Sequence, residues 1–600
     1  MHRDDDAPSR IQLPSAPPDQ QAILDAGGVA CWSEPVSIDT YDAGAPDRYP
    51  LFLDRRVYQG SSGKVYPMPM TDSVAHEKRP RAWQAIHLEN EYVRLMLLPE
   101  IGGRIHIGYD KVAGYDFFYR NNVIKPALVG LAGPWISGGV EFNWPQHHRP
   151  ATYLPVDSRI EREDDGAVVV WHSDLDPLQR MRGVHGVRLR PGSSLIEAEA
   201  RLHNRTDVPQ TFLWWANVAA RSHDRYQSFF PDDVAYVADH ARRAITAFPR
   251  ADRPYYGVDY PALASERPDA DRIDIYSNIP VPTSYMITDT EDSFFGGYDH
   301  AADAGFVHWA DRAVSPGKKQ WTWGTGAIGT AWDAQLTDDD GPYVELMAGV
   351  YTDNQPDFAW LAPGETKRFS QFWFPIHAIG AVRQATTDAA IAVAPDGTRV
   401  GVIATNALDA TVVVRTSDGR TQEWVGPIAP DRPFVMTSSD APVVRVEVRA
   451  GGTELVTWTA RAASAGEPWV ATAPPSPAEI AGNDELLLTA THLDQYRHPT
   501  RDAVPYLREA LDRDPGDVRA ATALAARQLR RGEYGEAAAL LETAIGGLTR
   551  RNLNPRDGEA LYLLGLVRER QGALAEADER FARAAWNIAW AAPSHLARAR

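Results

Sequence analysis

The central part of the chain is built from short apolar runs. Between residues 83 and 375, runs of four to eight β-branched and aromatic residues recur, such as YVRLMLL, AVVVWHS, TFLWWANVA and RFSQFWFPI. Turn-forming residues separate them, as in PEIGGR, RPGSS and LAPGE. This pattern is typical of antiparallel strands joined by tight turns. It predicts a mainly β protein with a large antiparallel supersandwich of two wide sheets, over residues 22–380 with an N-terminal β extension.

The pattern changes on both sides of this region. Residues 381–470 hold strand-like runs with tight, charged turns, such as RVGVIATN and VVRVEVRAGGTELVTW, which predict a small second β-sandwich. The Pro- and Ala-rich residues 471–483 are predicted to be a linker. The first 21 residues are polar and Pro-rich, and we expect them to be disordered.

Residues 484–600 change to a helical period dominated by Ala, Leu, Arg and Glu. Two segments match each other, LAARQLRRGEYGEAAALLETAI and LGLVRERQGALAEADERFARAA, with Gly532 aligned to Gly572. Small residues recur where paired helices would cross, so the region resembles tetratricopeptide repeats. Because repeat arrays need capped ends, we expect the natural chain to continue beyond Arg600, or a protein partner to cover that end.

Composition and charge narrow the choice of function. The formal net charge of −19 argues against nucleic acid and anionic membrane surfaces as partners. Cys31 is the one cysteine of the sequence, so no intrachain disulfide can form. The sequence has no signal-peptide pattern and no uncharged apolar run long enough for a membrane helix, which predicts a cytoplasmic protein. Nucleotide-binding loops and the GxSxG motif are also missing from the sequence, so we expect no cofactor.

The segment WISGGVEFNWPQHHR, residues 135–149, carries the densest candidate chemistry. Its glycines indicate a bulged backbone that approaches a ligand closely. Sugars need aromatic faces to stack on and many groups that bind hydroxyls. The segment offers both: Trp135, Asn143, Trp144, His147, His148 and Arg149 are the predicted sugar-binding residues. The alternative is a polar loop held together by its own side chains.

Two carboxylates are the predicted catalytic groups. Glu141 lies between Val140 and Phe142, where desolvation would raise its pKa and suit it to a general acid. Its alternative roles are to accept a ligand hydroxyl or to pair with Arg149. Glu345 lies in the strand-like run PYVELMAG and would be the base or nucleophile of glycosidic-bond chemistry. The alternative for Glu345 is a structural carboxylate paired with an arginine.

A third segment, residues 212–240, adds Trp215, Asn217 and His223 as predicted substrate-binding residues. His223 precedes an aspartate and is a second candidate acid, although a structural role is the alternative. Adjacent histidines rarely point the same way on a strand, and the sequence has no HExxH motif. We therefore expect no metal site.

The stretches RVYQGSSGKVYP, LENEYVRLMLLPEIGGRIHIGYD and WISGGVEFNWPQHHRP resemble a bacterial family of unknown function that precedes tetratricopeptide repeats. The resemblance covers about residues 25–380 and implies the galactose mutarotase-like supersandwich, shared by aldose 1-epimerases and several glycoside hydrolase and lyase families. It implies that Glu345 holds the position of the catalytic base. The epimerase acid is a His that follows an Asn, whereas here Val218 follows Asn217. His223 or Glu141 would have to replace it.

These observations predict a carbohydrate-active enzyme. The first hypothesis is a glycoside hydrolase or transglycosidase that acts on an oligosaccharide through Glu141 and Glu345. A sugar epimerase is the nearest enzymatic alternative. The other alternative is a non-catalytic glycan-binding scaffold whose repeats recruit a protein partner.

Overall fold

The computed structural model describes residues 9–50, 66–351, 358–438, 441–461, 466–498 and 500–600. Two large, mainly antiparallel sheets face each other in the described chain. The 13-stranded sheet runs, in spatial order, through Ile245–Ala247, Tyr236–Ala238, Thr283–Ile287, Gly317–Thr322, Tyr343–Gly349, Trp215–Arg221, Val140–Asn143, Arg104–Asp110, Val93–Leu98, Val74–Glu89, Ala30–Ala43 and Val123–Ile124, with Tyr115–Phe118 beside Arg104–Asp110.

The opposing 8-stranded sheet, as described, runs through Asp157–Arg162, Val168–Leu175, Arg182–Leu189, Ile196–His203, Thr366–His377, Ala304–Trp309, Phe294–Asp299 and Tyr226–Phe229. One apolar cluster fills the space between the two sheets, with Leu95, Val187 and Trp373 among its buried members. Two separate two-stranded antiparallel sheets are also described: Gln210–Phe212 with Ala359–Leu361, and Ala127–Gly130 with Gly133–Trp135. The predicted supersandwich is confirmed.

The small second sandwich is confirmed as well. Its two four-stranded sheets, within the described residues, are Val382–Ala385, Ala389–Val393, Arg399–Ala404 and Phe434–Thr437, and Thr421–Ile428, Leu408–Thr416, Val443–Ala450 and Thr453–Thr459. A Val-rich cluster that includes Trp458 lies between them. Three-residue or four-residue 3₁₀ turns occur at Pro99–Ile101, Pro150–Tyr153, Tyr276–Asn278 and Pro477–Glu479.

The C-terminal region is helical, as predicted. Its helices are Asn483–Gln495, Val504–Arg513, Val518–Arg531, Tyr534–Thr549, Glu559–Arg570, Leu574–Ala584 and Ile588–Ala599. Gly532 and Gly572, aligned in the sequence, both adopt positive φ at the turn inside a helix pair, with values of 82° and 80°. Shorter helices lie at Tyr260–Glu266 and Ala327–Leu336. The domain boundaries of the sequence analysis stay predictions.

The first 21 residues are predicted to be disordered, but the described part of this segment, from residue 9, packs against the large sheet. Residues 9–17 are irregular, but Ile11 is buried against Ile38 and Trp83, and its N–H donates to Asn122 Oδ1 at 3.1 Å. A helix follows at Pro18–Asp25. One apolar side chain that reaches a core cluster outweighs the polar, Pro-rich composition on which the prediction of disorder was based.

Candidate active site

The candidate site lies on the face of the 13-stranded sheet that points away from the inter-sheet core. Side chains alternate across strand Val140–Asn143, so Val140 and Phe142 pack into the core while Glu141 and Asn143 point to the opposite face. Gly139, with φ at 59°, precedes the strand. A Cβ there would lie 2.0 Å from the carbonyl oxygen of Ile105. The close approach of the chain at this point requires glycine.

Sheet pairing brings the second carboxylate to the same face. Asn217 pairs with Glu141 on one side of its strand, and Ala219 pairs with Glu345 on the other. The Asn217 side-chain amide lies 3.4 Å from Glu141 Oε2 and 3.2 Å from Glu345 Oε2. The two carboxylate oxygens are therefore no further apart than the sum of these distances, about 6.6 Å.

Glu141 is buried and surrounded by donors. Its oxygens accept hydrogen bonds from Trp135 Nε1 at 3.0 Å, Asn143 Nδ2 at 3.1 Å and Thr152 Oγ1 at 2.7 Å. Nδ1 of His148 lies 3.1 Å from Oε2. Burial alone would raise the pKa of Glu141, but the charge of His148 and these hydrogen bonds outweigh it and hold the pKa well below its usual range. The expected raised pKa of a general acid is therefore wrong for Glu141.

His148 is the complementary half of this pair. Burial lowers the pKa of its imidazole, but the Glu141 carboxylate more than offsets this and raises the pKa above 6.5. Because Nδ1 is engaged by Glu141, Nε2 is the nitrogen that can present a proton to a ligand. The Trp135 ring lies beside the imidazole, with the ring centroids 5.0 Å apart.

Glu345 has a different environment. Burial raises its pKa, and the nearby negative charge of Glu141 adds to this effect. The hydroxyl of Tyr343 lies 3.4 Å from Oε1. Lys319, on the adjacent strand, is buried as well, and desolvation lowers the pKa of its ammonium group. Of the two carboxylates, Glu345 is thus the one that takes up a proton more readily.

Aromatic and apolar side chains flank the polar centre on two sides. One wall consists of Trp215, Met286, Trp321 and Met347, and the other of Trp135, Tyr343, Trp323 and Trp332. Three buried polar atoms of this region have no hydrogen-bond partner among the described residues: Trp215 Nε1, Asn217 Oδ1 and His240 Nδ1. Buried polar atoms are normally paired, so these atoms are suited to bind ligand hydroxyls.

Three predicted binding residues, Trp144, Arg149 and His223, lie elsewhere or serve other contacts. Trp144 continues the inward face of Phe142 and packs in the core, against Gly183. Arg149 is buried in an ion pair with Asp174 at 3.0 Å and donates to the Gly102 carbonyl at 2.9 Å. These contacts keep its guanidinium away from Glu141.

His223 lies outside the site, 2.9 Å from Asp299, on the wall of a separate polar cavity of about 1240 Å³. His147 is buried beside His148, with ring centroids 6.0 Å apart. The sequence after Glu345 also predicts a polar loop with Asp353, Asn354, Gln355 and Asp357. This loop, and most of the RVYQGSSGKVYP motif, lie outside the described residues. Of the predicted set, the structure brings together Trp135, Glu141, Asn143, His148, Trp215, Asn217 and Glu345.

Sequence reasoning missed Thr152, Lys319, Trp321 and Tyr343. A signal existed for Tyr343, because it stands two residues before Glu345 and shares its face of the strand. Trp321 reaches the site because its strand pairs Trp321 with Glu345. That register is fixed by the tertiary fold and is not visible in the local sequence.

Two further observations concern the described part of the chain only. It contains no group of three or more His, Cys, Asp or Glu side chains arranged to hold a metal ion. None of its helices combines the length and apolarity needed to cross a membrane.

Comparison with solved structures shows the fold. A TPR-domain containing protein from Parabacteroides distasonis is similar over 92% of this chain and 79% of its own, with 18% sequence identity and a TM-score of 0.52. Galactose mutarotase-like proteins from Clostridium acetobutylicum and Lactobacillus casei each align with 49% of this chain. The alignments cover 96% and 100% of those chains, with identities of 9% and 11% and TM-scores of 0.34 and 0.32.

The sequence itself gives the family. Residues 61–376 match the family described as "Domain of unknown function (DUF5107)", and they include Glu141, Asn217 and Glu345. The match covers more than half of the chain, and helical repeats follow it, as the sequence resemblance implied. The protein is therefore a member of the DUF5107 family, with a large β-supersandwich followed by tetratricopeptide-like repeats.

Proposed function

We propose that the protein is a sugar-converting enzyme of the aldose 1-epimerase type, with His148 as general acid and Glu345 as general base. The observation that carries the proposal is the division of charge between the two carboxylates. Contact between Glu141 and His148 holds the pKa of the carboxyl low and raises the pKa of the imidazole, while burial raises the pKa of Glu345. A protonated acid and a basic carboxylate on one face are what anomeric exchange requires.

The reaction balances with these two groups alone. Glu345 takes the proton from the anomeric hydroxyl while Nε2 of His148 donates a proton to the ring oxygen. The bond between the anomeric carbon and the ring oxygen breaks, giving the open-chain aldehyde. After rotation about the neighbouring carbon–carbon bond, the ring closes on the other face of the carbonyl and both protons return. His148 thereby fills the role left open by Val218, where the epimerase acid would follow Asn217.

The proposed roles of the remaining residues follow from their positions. Glu141 is a positioning residue that keeps His148 charged and oriented, because its own oxygens are already occupied by donors. Asn217 and the Trp215 indole would bind sugar hydroxyls through their unpartnered atoms. Lys319, close to Glu345, would favour its ionised form during proton removal.

The test adds the full-length protein to freshly dissolved α-D-galactose or α-D-glucose and measures the rate of anomeric exchange by polarimetry. We expect a rate above the spontaneous one, lowered by about 100-fold or more in Glu345→Gln and in His148→Asn, since general acid–base groups contribute on this scale. Glu77→Gln, an exposed carboxylate of the same sheet, is the control. A wild-type rate equal to the spontaneous one, or an unaffected Glu345→Gln enzyme, would contradict the proposal.

The short distance between the carboxylates also favours a second candidate, glycosidic-bond cleavage. An upper limit of about 6.6 Å between the nearest carboxylate oxygens is compatible with the carboxylate separations that glycosidases use. Incubation with a panel of oligosaccharides, followed by chromatography, separates the candidates. Release of shorter sugars that depends on both Glu141 and Glu345 would replace the epimerase proposal. Binding of sugars with neither reaction would favour the non-catalytic glycan-binding scaffold.

A further inference from the structure

The helical repeats contact the supersandwich directly beside the candidate site. Arg497 follows helix Asn483–Gln495 and has a left-handed backbone, with φ at 47°. Its guanidinium donates from Nε to Thr211 Oγ1 at 2.8 Å, from Nη2 to the Thr211 carbonyl at 2.5 Å, and from Nη1 to Gln146 Oε1 at 2.5 Å. The same group lies over the Phe358 ring, 4.3 Å from its centroid. All three guanidinium nitrogens are thus used on the sandwich.

Both hydrogen-bonded partners of Arg497 lead into the site. Gln146 stands two residues before His148, and Thr211 stands four residues before Trp215. The two segments are also joined to each other, because the Leu213 N–H donates to the Pro145 carbonyl at 2.9 Å. A single arginine of the repeats therefore fixes the loop that carries the acid and the chain that enters the Trp215 strand.

Three other contacts between the helical repeats and the large sandwich are made at Asp207 and Pro209, outside the loop that carries His148. Arg530 donates to the Pro209 carbonyl, and the Tyr562 hydroxyl donates to the Asp207 carbonyl at 2.8 Å. Arg570 forms an ion pair with the Asp207 side chain. These contacts hold the repeats in place at the loop around residues 205–209. Arg497 differs because it contacts the loop that carries His148.

We propose that Arg497 is a positioning residue of the active site, so that the repeats complete the sugar site by holding the Gln146–His148 segment over Glu141. The inference rests on the proposed function, in which His148 is the acid. A planar guanidinium can bind Thr211 and Gln146 at once, whereas the ammonium group of lysine cannot reproduce this fork. In this proposal the helical repeats contribute directly to the geometry of the active site.

The test compares full-length Arg497→Lys with Gln146→Ala and with the control Arg530→Ala. Two quantities are measured: the kcat of galactose anomer exchange, and the imidazole pKa of His148 from proton NMR. We expect Arg497→Lys and Gln146→Ala to lower kcat by about tenfold or more and to move the His148 pKa toward 6.5. Arg530→Ala, which removes a docking contact only, is expected to leave both unchanged.

The outcomes separate the two proposals. If Arg497→Lys and Arg530→Ala behave alike, or if the His148 pKa is the same in wild type, Arg497→Lys and Gln146→Ala, the positioning role is overturned. If the pKa moves as expected but the wild type exchanges no anomers, the positioning of His148 by Arg497 is supported and the epimerase function fails. Circular dichroism of each variant, together with the Gln146→Ala variant, distinguishes lost positioning from lost folding.

Discussion

At the scale of single residues, Glu141 shows what local sequence can and cannot tell. Its burial among Val140, Phe142 and aromatic neighbours was predictable from the run VEFN. The sign of its pKa shift was not, because it depends on how the chain folds back to bring His148 and Thr152 against the carboxylate. Thr152 and His148 lie 11 and 7 residues away along the chain. Burial and hydrogen bonding shift the pKa of a carboxyl in opposite directions, and only the fold decides which effect is larger.

The Glu141–His148 pair gives a prediction about stability. The low pKa of Glu141 stabilises the folded protein above about pH 4.5, and this contribution is lost as the pH falls through the folded pKa. The raised pKa of His148 stabilises it below about pH 6.5, and this contribution is lost as the pH rises through the folded pKa. Glu141→Gln should therefore lower the free energy of unfolding by about 3 kcal/mol at pH 6, and by less at pH 9.

Urea denaturation at the two pH values measures this effect, with Glu77→Gln as the exposed control. Equal destabilisation of Glu141→Gln at pH 6 and pH 9 would mean that the charge of His148 contributes nothing to the pair.

At the scale of elements, strand alternation was the stronger guide. Side chains alternate between the two faces of a strand, so in the run VEFNW Trp144 should share the inward face with Phe142. The structure places it there. The prediction that Trp144 binds a sugar was based on residue type and did not take this alternation into account. Arg149 was harder to place, because its partner Asp174 lies on the opposing sheet. Composition identified the segment, but only packing shows which side chains face a ligand.

The turn before strand Val140–Asn143 carries the second prediction. Gly139→Ala would place a Cβ 2.0 Å from a backbone oxygen at positive φ, so we expect the free energy of unfolding to fall by more than about 2 kcal/mol. Gly114→Ala is the matched control, since Gly114 has φ at 65° but its nearest neighbouring atom is 3.7 Å away. It should cost about 1 kcal/mol, from backbone strain alone. Similar losses in the two variants would show that the close approach at Gly139 is not tight.

At the scale of the whole molecule, the change of period along the chain predicted the three kinds of domain. Short apolar runs separated by turn-forming residues predicted the two sandwiches, and two matching segments with Gly532 aligned to Gly572 predicted the helical pairs. The order of the strands in the large sheet and the docking of Arg497 could not be predicted. Both depend on pairings between residues far apart in the chain, such as Trp215 with Gly349, 134 positions away, and Arg497 with Thr211, 286 positions away. A single sequence carries no local signal for such pairings.

The contact between the two sandwiches gives the third prediction. Ile403 of the small sandwich is buried in one cluster with Phe374 and Ile376 of the large one. Because this apolar surface is shared, both sandwiches should unfold in one calorimetric transition. Ile403→Ala should lower the midpoint of that transition, with a loss of about 2–5 kcal/mol. Val425→Ala, at an exposed position of the small sandwich, should leave it unchanged. Two separate transitions, of which only one moves in Ile403→Ala, would contradict the coupling.

In the proposed reaction, His148 and Glu345 exchange protons with a sugar, and Glu141 raises the pKa of His148. The pH dependence of kcat/KM for galactose anomer exchange tests it most directly. The rate should rise as Glu345 deprotonates and fall as the pH passes the raised pKa of His148. In Glu141→Gln the falling limb should move to lower pH, because the charge that raises the His148 pKa is gone. An unchanged falling limb in Glu141→Gln, or no exchange by the wild type at any pH, would contradict the account.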